Sequence, residues 1–242
     1  MPSRLDSSVL TDKRVAIVGG SSGVGLALAR RVTALGAQAI LLARDAGKLK
    51  AAADEVPRSE VRCLDLRRPE TLAPALAALG SVAHLVVTAG TFNPSPVADS
   101  EPDDWRSILE ERLIGPLSVI RLLASRITTS IVLFSGTIGR RPAPGCALLA
   151  AATAGIEGAA RTLALELAPV RVNVVAPGML DTPMLDKVLS SQKSRICADL
   201  ATRLPARRIG TADDAAGAAL FLMTNSYMTG STVEIDGGGQ LI

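Results

Sequence analysis

Two stretches hold residues whose types and spacing could do chemistry. The first is VGGSSGVG, residues 18–25, set between a short apolar run and a helix-forming segment. Strand, glycine turn and helix in that order make an anion cradle, because exposed N–H groups and the positive end of the helix dipole face one point. Gly19 permits the tight turn, Gly23 lets backbone approach a pyrophosphate, and Gly25 lets the helix pack close on the sheet. Ser21 and Ser22 add hydroxyl donors, and Val24 opens the helix. The bland alternative is an ordinary glycine-rich connection. The next strand ends in LLARD, which puts Arg44 where dinucleotide-binding folds read the ribose. An acid at that place binds a 2′-hydroxyl, whereas a guanidinium pairs bidentately with a 2′-phosphate. Arg44 therefore favours NADP over NAD, unless the adjacent Asp45 neutralises it.

The second stretch is PGCALLAAATAGIEGAARTLALEL, residues 144–167. It reads as a long helix, and it holds neither tyrosine nor lysine. Its apolar residues are not confined to one stripe, so it is expected to be buried on more than one side.

These stretches need a scaffold, and the pattern of the chain supplies one. Strands are expected at 14–18, 38–43, 61–66, 82–87, 131–134, 170–175 and 232–235. Helices are expected at 24–35 (stopped by Gly36), 48–55, 69–79, 103–125, 144–167 and 213–224. Pro116 predicts a bend or break in the fourth of these helices. Residues 178–209 carry no strand pattern and read as a mobile lid. Alternating βα units with near-continuous apolar strands imply a parallel sheet with helices on both faces. The reading is an α/β fold: one Rossmann-type, doubly wound domain over residues 1–242, with seven strands in the order 3-2-1-4-5-6-7.

Composition bounds the function. The chain has 242 residues, 48% apolar but only 2% aromatic, with a net charge of +3. Its arginines are scattered and stacking aromatics are nearly absent, which argues against nucleic-acid binding. Cys63, Cys146 and Cys197 are odd in number and far apart, which argues against disulfides and a metal site and suits a reducing, cytoplasmic setting. No signal core or membrane span is read from the chain.

Taken together, the motifs resemble those of the short-chain dehydrogenase/reductase family. The family's TGxxxGxG is similar to VGGSSGVG, and its Asp-apolar pair that touches adenine resembles Asp65-Leu66. Its NAG is similar to Thr88-Ala89-Gly90, with the asparagine replaced. Its late block resembles RVNVVAPGMLDTPM, residues 171–184. There the resemblance implies that Pro177 and Gly178 shape the turn under a nicotinamide and that Thr182 contacts its carboxamide or the phosphates. The likeness covers essentially the whole chain.

The same resemblance places the family's four catalytic groups at positions that do not carry them here. Its asparagine falls at Arg112, its serine at Gly136, its tyrosine at Leu149 and its lysine at Thr153. The only tyrosine is Tyr227, where the family has a structural position, and the lysines are Lys13, Lys48, Lys50, Lys187 and Lys193. A positioned general acid or base contributes typically about 10²–10⁴-fold, and members of one catalytic unit fail together. Leucine donates no proton, and threonine carries no charge to depress a neighbour's pKa. Ordinary tyrosine-dependent ketone reduction is therefore not expected.

Several polar groups near the cleft could act instead, or could simply be satisfied locally. Arg112 could stabilise a developing oxyanion, Thr153 could bind a ribose hydroxyl, and Cys146 could face the cleft. Arg140 and Arg141 could hold an acidic ligand, Thr137 flanks the replaced serine, and Ser135 should point away from it. His84 reads as packed within a strand, and Asp181 as a helix cap. Three functions stay open. The first is an NADP(H)-binding pseudo-dehydrogenase acting as a regulatory or partner subunit. The second is an isomerase or cyclase that reuses the cleft, with nucleotide structural or absent. The third is an atypical NADPH-dependent oxidoreductase of a small carbonyl or hydroxyl substrate. The helices around 103–125 and 147–168 are expected to form a homodimer or homotetramer, or to pair with a catalytically intact relative.

Overall fold

A computed structural model describes residues 9–242. Its frame is a seven-stranded sheet of β1 (Arg14–Val18), β2 (Gln38–Ala43), β3 (Ser59–Cys63), β4 (Val82–Val87), β5 (Ile127–Phe134), β6 (Arg171–Pro177) and β7 (Thr232–Ile235). Every neighbouring pair is parallel, and the order is 3-2-1-4-5-6-7, as the sequence pattern implies. The central strands are apolar without alternation because both faces are covered. On one face, α1 (Gly23–Ala34), α2 (Ala46–Glu55) and α9 (Ala212–Thr224) bury Leu28, Val32, Leu49, Ala216 and Leu220 against Ile17 and Leu41. On the other, α3 (Leu72–Ala77), α5 (Gly115–Leu123) and α6 (Ala147–Glu166) bury Leu72, Val119, Ile156 and Ala160 against Leu85, Ile131 and Val174.

Four departures from the sequence pattern have physical causes. β3 ends at Cys63, and Leu64 and Leu66 leave the sheet but stay in the core, so they prolong the apolar run without prolonging the strand. β5 starts at Ile127, four residues early, because Thr128, Thr129 and Ser130 hide its pattern; Ser130 is fully buried and pairs with His84. The helix expected over 103–125 is α4 (Pro102–Leu109), a π-helical turn (Glu110–Ile114) and α5. Pro116 has no N–H for the Arg112 carbonyl, and the preceding Gly115 N–H reaches back five residues to Glu110 O. The break that proline imposes thus takes the form of a wide turn just before it.

Residues 178–209 do contain a strand. Leu180–Asp181 pairs with Gly210–Thr211, a ladder too short to leave a pattern, and α7 (Pro183–Leu189) and α8 (Lys193–Arg203) lie between. Lys193 of α8 is ion-paired with both Asp181 and Asp186. Asp181 is therefore a partner of Lys193 rather than a helix cap, and α7 is preceded by Thr182. The α6 helix, 20 residues with a mean hydropathy of 1.2, is apolar and long enough to cross a membrane by composition alone. Here its Ile156, Ala160 and Ala164 side is part of the core.

Candidate functional site

The strand order reverses direction between β1 and β4, and their carboxyl ends open a crevice of the kind in which α/β sheets bind ligands. The glycine turn forms its floor. Gly19 (φ +92°) turns the chain where a Cβ would lie 2.7 Å from Ala89 N. Gly25 packs on the turn itself: a Cβ there would lie 2.7 Å from the Gly19 carbonyl carbon and 2.8 Å from Thr88 Oγ1. Gly23 (φ +53°) is different, because its surroundings are open and the nearest atoms across the gap belong to Thr182, 3.8 Å from a Cβ. The α1 helix that starts here has no acid in its first turn, and the exposed Ser22 gives it no side-chain cap. An uncapped N-terminus below an open glycine suits a pyrophosphate. Ser21 and Val24 are half-buried beside it.

The far wall is built from β4, β6 and their following loops. Thr88 Oγ1 donates to Val18 O, which ties the β4 end to the glycine turn. Ala89 and Gly90 are half-buried, and the Arg112 guanidinium lies flat on Gly90, 3.1 Å from a Cβ built there. After β6, Pro177 and Gly178 make the turn; a Cβ on Gly178 would meet Asp236 at 2.8 Å, so only glycine fits. Thr182 follows and faces Gly23.

At the ribose end, Asp45 feels the Arg44 charge but makes no ion pair with it. Its carboxylate caps α2 by accepting from Lys48 N at 2.9 Å, which holds its pKa below the usual carboxylate range. Arg44 instead faces Glu111, with Nη1 3.6 Å from Oε1, and remains partly open to solvent. Asp65 is held by Arg67, at 3.0 Å from Nη2. The Leu66 side chain is in the core against Gly115 and is not on a ligand surface, unlike the expectation for an adenine contact.

The π turn contributes two adjacent side chains that grip one residue. Glu111, buried, accepts from Thr91 N at 2.9 Å and from Thr91 Oγ1, while Arg112 donates from Nε to Thr91 O at 2.7 Å and from Nη2 to the same oxygen. Burial pulls the Arg112 pKa down, and Glu111 beside it partly offsets that. Arg112 first holds the Gly90–Thr91 backbone, and any action on a ligand comes after that.

Deeper in the cleft, the expected substitutes are mostly engaged. The Thr153 hydroxyl is buried and donates to Leu149 O at 2.9 Å and Ala150 O at 3.0 Å, so it is turned onto its own helix rather than toward a ribose. Leu149 is buried and lines a cavity of about 160 Å³ with Leu148, Ile108, Trp105, Asn93 and Ser95. Gly136 is extended (φ 179°) and has room, with Thr153 Cγ2 and Pro177 O both 3.8 Å from a Cβ. Cys146 is buried, which pushes its thiol pKa up and disfavours the thiolate. Arg140 bridges Glu157 and Glu234, the latter at 2.8 Å, and Arg141 donates to Gly239 O at 2.7 Å, so neither waits for an acidic ligand. Ser135 points away from Gly136, as expected, and donates to buried Glu157 at 2.7 Å. His84 is packed inside the sheet 2.8 Å from Ser130 Oγ, and burial lowers its pKa to about 4. The Tyr227 ring lies in solvent.

Over residues 18–240 the chain matches the family described as Enoyl-(Acyl carrier protein) reductase. Short-chain dehydrogenase/reductase malC of Malbranchea aurantiaca is 30% identical to it over 98% of both chains. The chain belongs to the short-chain dehydrogenase/reductase family. Among solved structures of this family, that of the MalC Reductase/Diels-Alderase from Malbranchea aurantiaca superposes with a TM-score of 0.90 at 29% identity, covering 98% of this chain and 99% of that one. A small-chain dehydrogenase in complex with NADPH superposes at 0.81 with 28% identity, covering 96% of this chain and all of that one.

Sequence reasoning located the glycine turn, Arg44, the β4 end and the β6 turn, and the fold gathers these around one crevice. It missed Glu111, Thr91 and Glu157. Glu157 was legible only as one charge in an apolar helix, and the Glu111–Thr91 contact leaves no spacing signal.

Proposed function

We propose that the protein binds NADP(H) in this cleft, lacks the family's own proton relay, and serves as a pseudo-dehydrogenase, in a regulatory role or as the partner of an active subunit. One observation carries the reading. The phosphate floor is open and uncapped at α1, whereas at the two relay positions on α6 a buried leucine and a threonine bonded to its own helix offer no group for proton exchange. The residues to hold the nucleotide are the turn Gly19, Ser21, Ser22, Gly23, Val24 and Gly25, with Arg44 at the 2′ end. Asp65, Ala89 and Gly90, then Pro177, Gly178 and Thr182, complete the cleft. When bound, a dihydronicotinamide supplies hydride. The chain's own residues bind and orient, but Leu149 and Thr153 hold no exchangeable proton toward the cleft. A missing general acid or base typically costs about 10²–10⁴-fold, enough to take an ordinary reductase out of useful range.

A second reading is favoured by the small cavity beside Leu149, which Leu148, Ile108 and Trp105 line together with the polar Asn93, Ser95 and Asp104. Catalysis in which the protein moves no proton, such as a ring closure, asks chiefly for shape, and the similar Malbranchea protein is named a reductase/Diels-Alderase. The cleft would then be a template, with the nucleotide structural.

The test is a calorimetric titration of NADPH, NADP and NAD, followed by a search for NADPH oxidation across small carbonyl compounds. Tight NADPH binding, weak NAD binding and no turnover are expected. Stereospecific NADPH oxidation would refute the pseudo-dehydrogenase reading, and no binding of any nucleotide would refute the nucleotide half.

A further inference from the structure

Glu111 is a buried carboxylate with no part in the proposed function. It stands on the π turn, over the carboxyl ends of the strands, and its two oxygens face different partners. Oε2 takes both donors of Thr91, and Oε1 looks at Arg44, 3.6 Å away. Other cations are close. Arg67, bonded to Asp65, also feels the Glu111 charge, as does Arg112. Neither is as well placed to meet a phosphate. Arg67 has its own carboxylate at 3.0 Å, and Arg112 is spent on Thr91 O. Arg44 alone of the three is held by a loose pair, with its side chain partly in solvent; Asp45 and Asp65 also feel its charge, but Glu111 is the carboxylate within ion-pair distance.

We infer that Glu111 is a specificity-determining residue: an internal counter-ion that occupies Arg44 until a 2′-phosphate replaces it, and so tempers the preference for NADP over NAD. The inference rests on the nucleotide-binding reading above. A carboxylate and a phosphate monoester compete for one guanidinium, so the carboxylate lowers affinity only for ligands that carry the 2′-phosphate. A ligand without that group leaves the Arg44–Glu111 pair intact and pays no such cost. The interaction is weak because it is long and half-exposed, and the effect is accordingly modest. Glu111 is held rigidly by Thr91, so Arg44 must move and Glu111 stays.

The test uses the full chain and two soluble probes, adenosine 2′,5′-bisphosphate and adenosine 5′-monophosphate, with calorimetric Kd values for wild type, Glu111→Gln, Arg44→Ala and the double variant. The amide keeps an oxygen for Thr91 N while removing the charge. Glu111→Gln should tighten the bisphosphate about 2- to 5-fold, the range of an exposed ion pair, and change the monophosphate less than 2-fold. In the Arg44→Ala background the same substitution should do nothing, because the coupling requires both partners. Equal effects on both probes, no effect on either, or an effect that survives Arg44→Ala would overturn the inference. Urea unfolding of Glu111→Gln, with a midpoint within error of wild type, checks that the amide leaves the Thr91 turn in place. Binding by wild type with unchanged discrimination in Glu111→Gln sinks the inference alone. Binding by Glu111→Gln but not by wild type sinks both, because an exposed ion pair worth about 2- to 5-fold does not abolish binding. No binding by any variant sinks both.

Discussion

Two glycines of the same cleft should respond in opposite ways to one added methyl group. At Gly25 the Cβ would sit 2.7 Å from the Gly19 carbonyl carbon and 2.8 Å from Thr88 Oγ1, distances that real Cβ atoms do not show. The obstructing atoms cannot yield cheaply. One is backbone of a turn with φ +92°, and the other is a hydroxyl tied to Val18 O. Overpacking of this kind costs about 1–3 kcal/mol. A clash with unyielding backbone lies in the upper part of that range, about 2–3 kcal/mol, and alanine recovers about 1 kcal/mol of helix propensity, so Gly25→Ala should cost about 1–2 kcal/mol net. For a chain of this length that is roughly 2–8 °C in Tm. At Gly136 the backbone is extended and the nearest atoms are 3.8 Å from a Cβ, so Gly136→Ala should be neutral or stabilise by about 0.4–1 kcal/mol through the unfolded chain. Urea unfolding at constant m-value reads both directly. A Gly25→Ala midpoint equal to wild type, or a Gly136→Ala loss as large as that of Gly25→Ala, would refute the claim that the turn packs on itself while the β5 end is open.

Other outcomes follow from the same packing. Thr153→Lys puts a long cation where a buried hydroxyl is pinned to its helix, and should cost about 1–3 kcal/mol in urea unfolding; carbonyl reduction should appear only when Leu149→Tyr and Gly136→Ser accompany it, and its absence in a folded triple variant would mean that more than these groups is missing. His84 titrates near 6.5 when unfolded and at about 4 in the sheet, so the unfolded chain binds the extra proton and stability falls as pH drops from about 6.5 toward 4. At pH 5 the loss is about 2 kcal/mol, absent in His84→Gln; equal pH slopes in the two proteins would count against it. The outer side of α6 leaves Leu165 82% exposed, and a dimer or tetramer through α4, α5 and α6 should be seen by sedimentation velocity and weakened by Leu165→Glu. A wild-type monomer at micromolar concentration would end that proposal.

What could be read in the sequence tracks how local each cause is. The glycine turn is dictated by backbone geometry within eight residues, so VGGSSGVG announced itself. β4 was legible to the residue because it is buried throughout, and His84 sits in it as a packed neutral base. Arg44 was placed correctly, but its partner was not. Asp45 is its neighbour in sequence, yet helix capping claims Asp45, and the partner comes from 67 positions away through the π turn. The Arg140 bridge joins α6 to β7 across 77 residues, between Glu157 and Glu234, and no local pattern encodes it. Thr153 could have served a ligand or been satisfied locally, and the structure sends its hydroxyl to the nearest helix carbonyls. A buried threonine in a helix has that acceptor at hand before any cofactor arrives.

The π turn also has a rotational meaning. An α-helix advances about 100° per residue, so adjacent side chains ordinarily diverge. The wide turn slips the phase between α4 and α5, and that slip lets Glu111 and Arg112 converge on Thr91 while Val119, Ile120 and Leu123 still point into the core. Shortening the segment by one residue would bring the two halves back into step. The core could then keep its apolar side, or the cleft could keep its grip on Thr91, but one straight helix could not serve both.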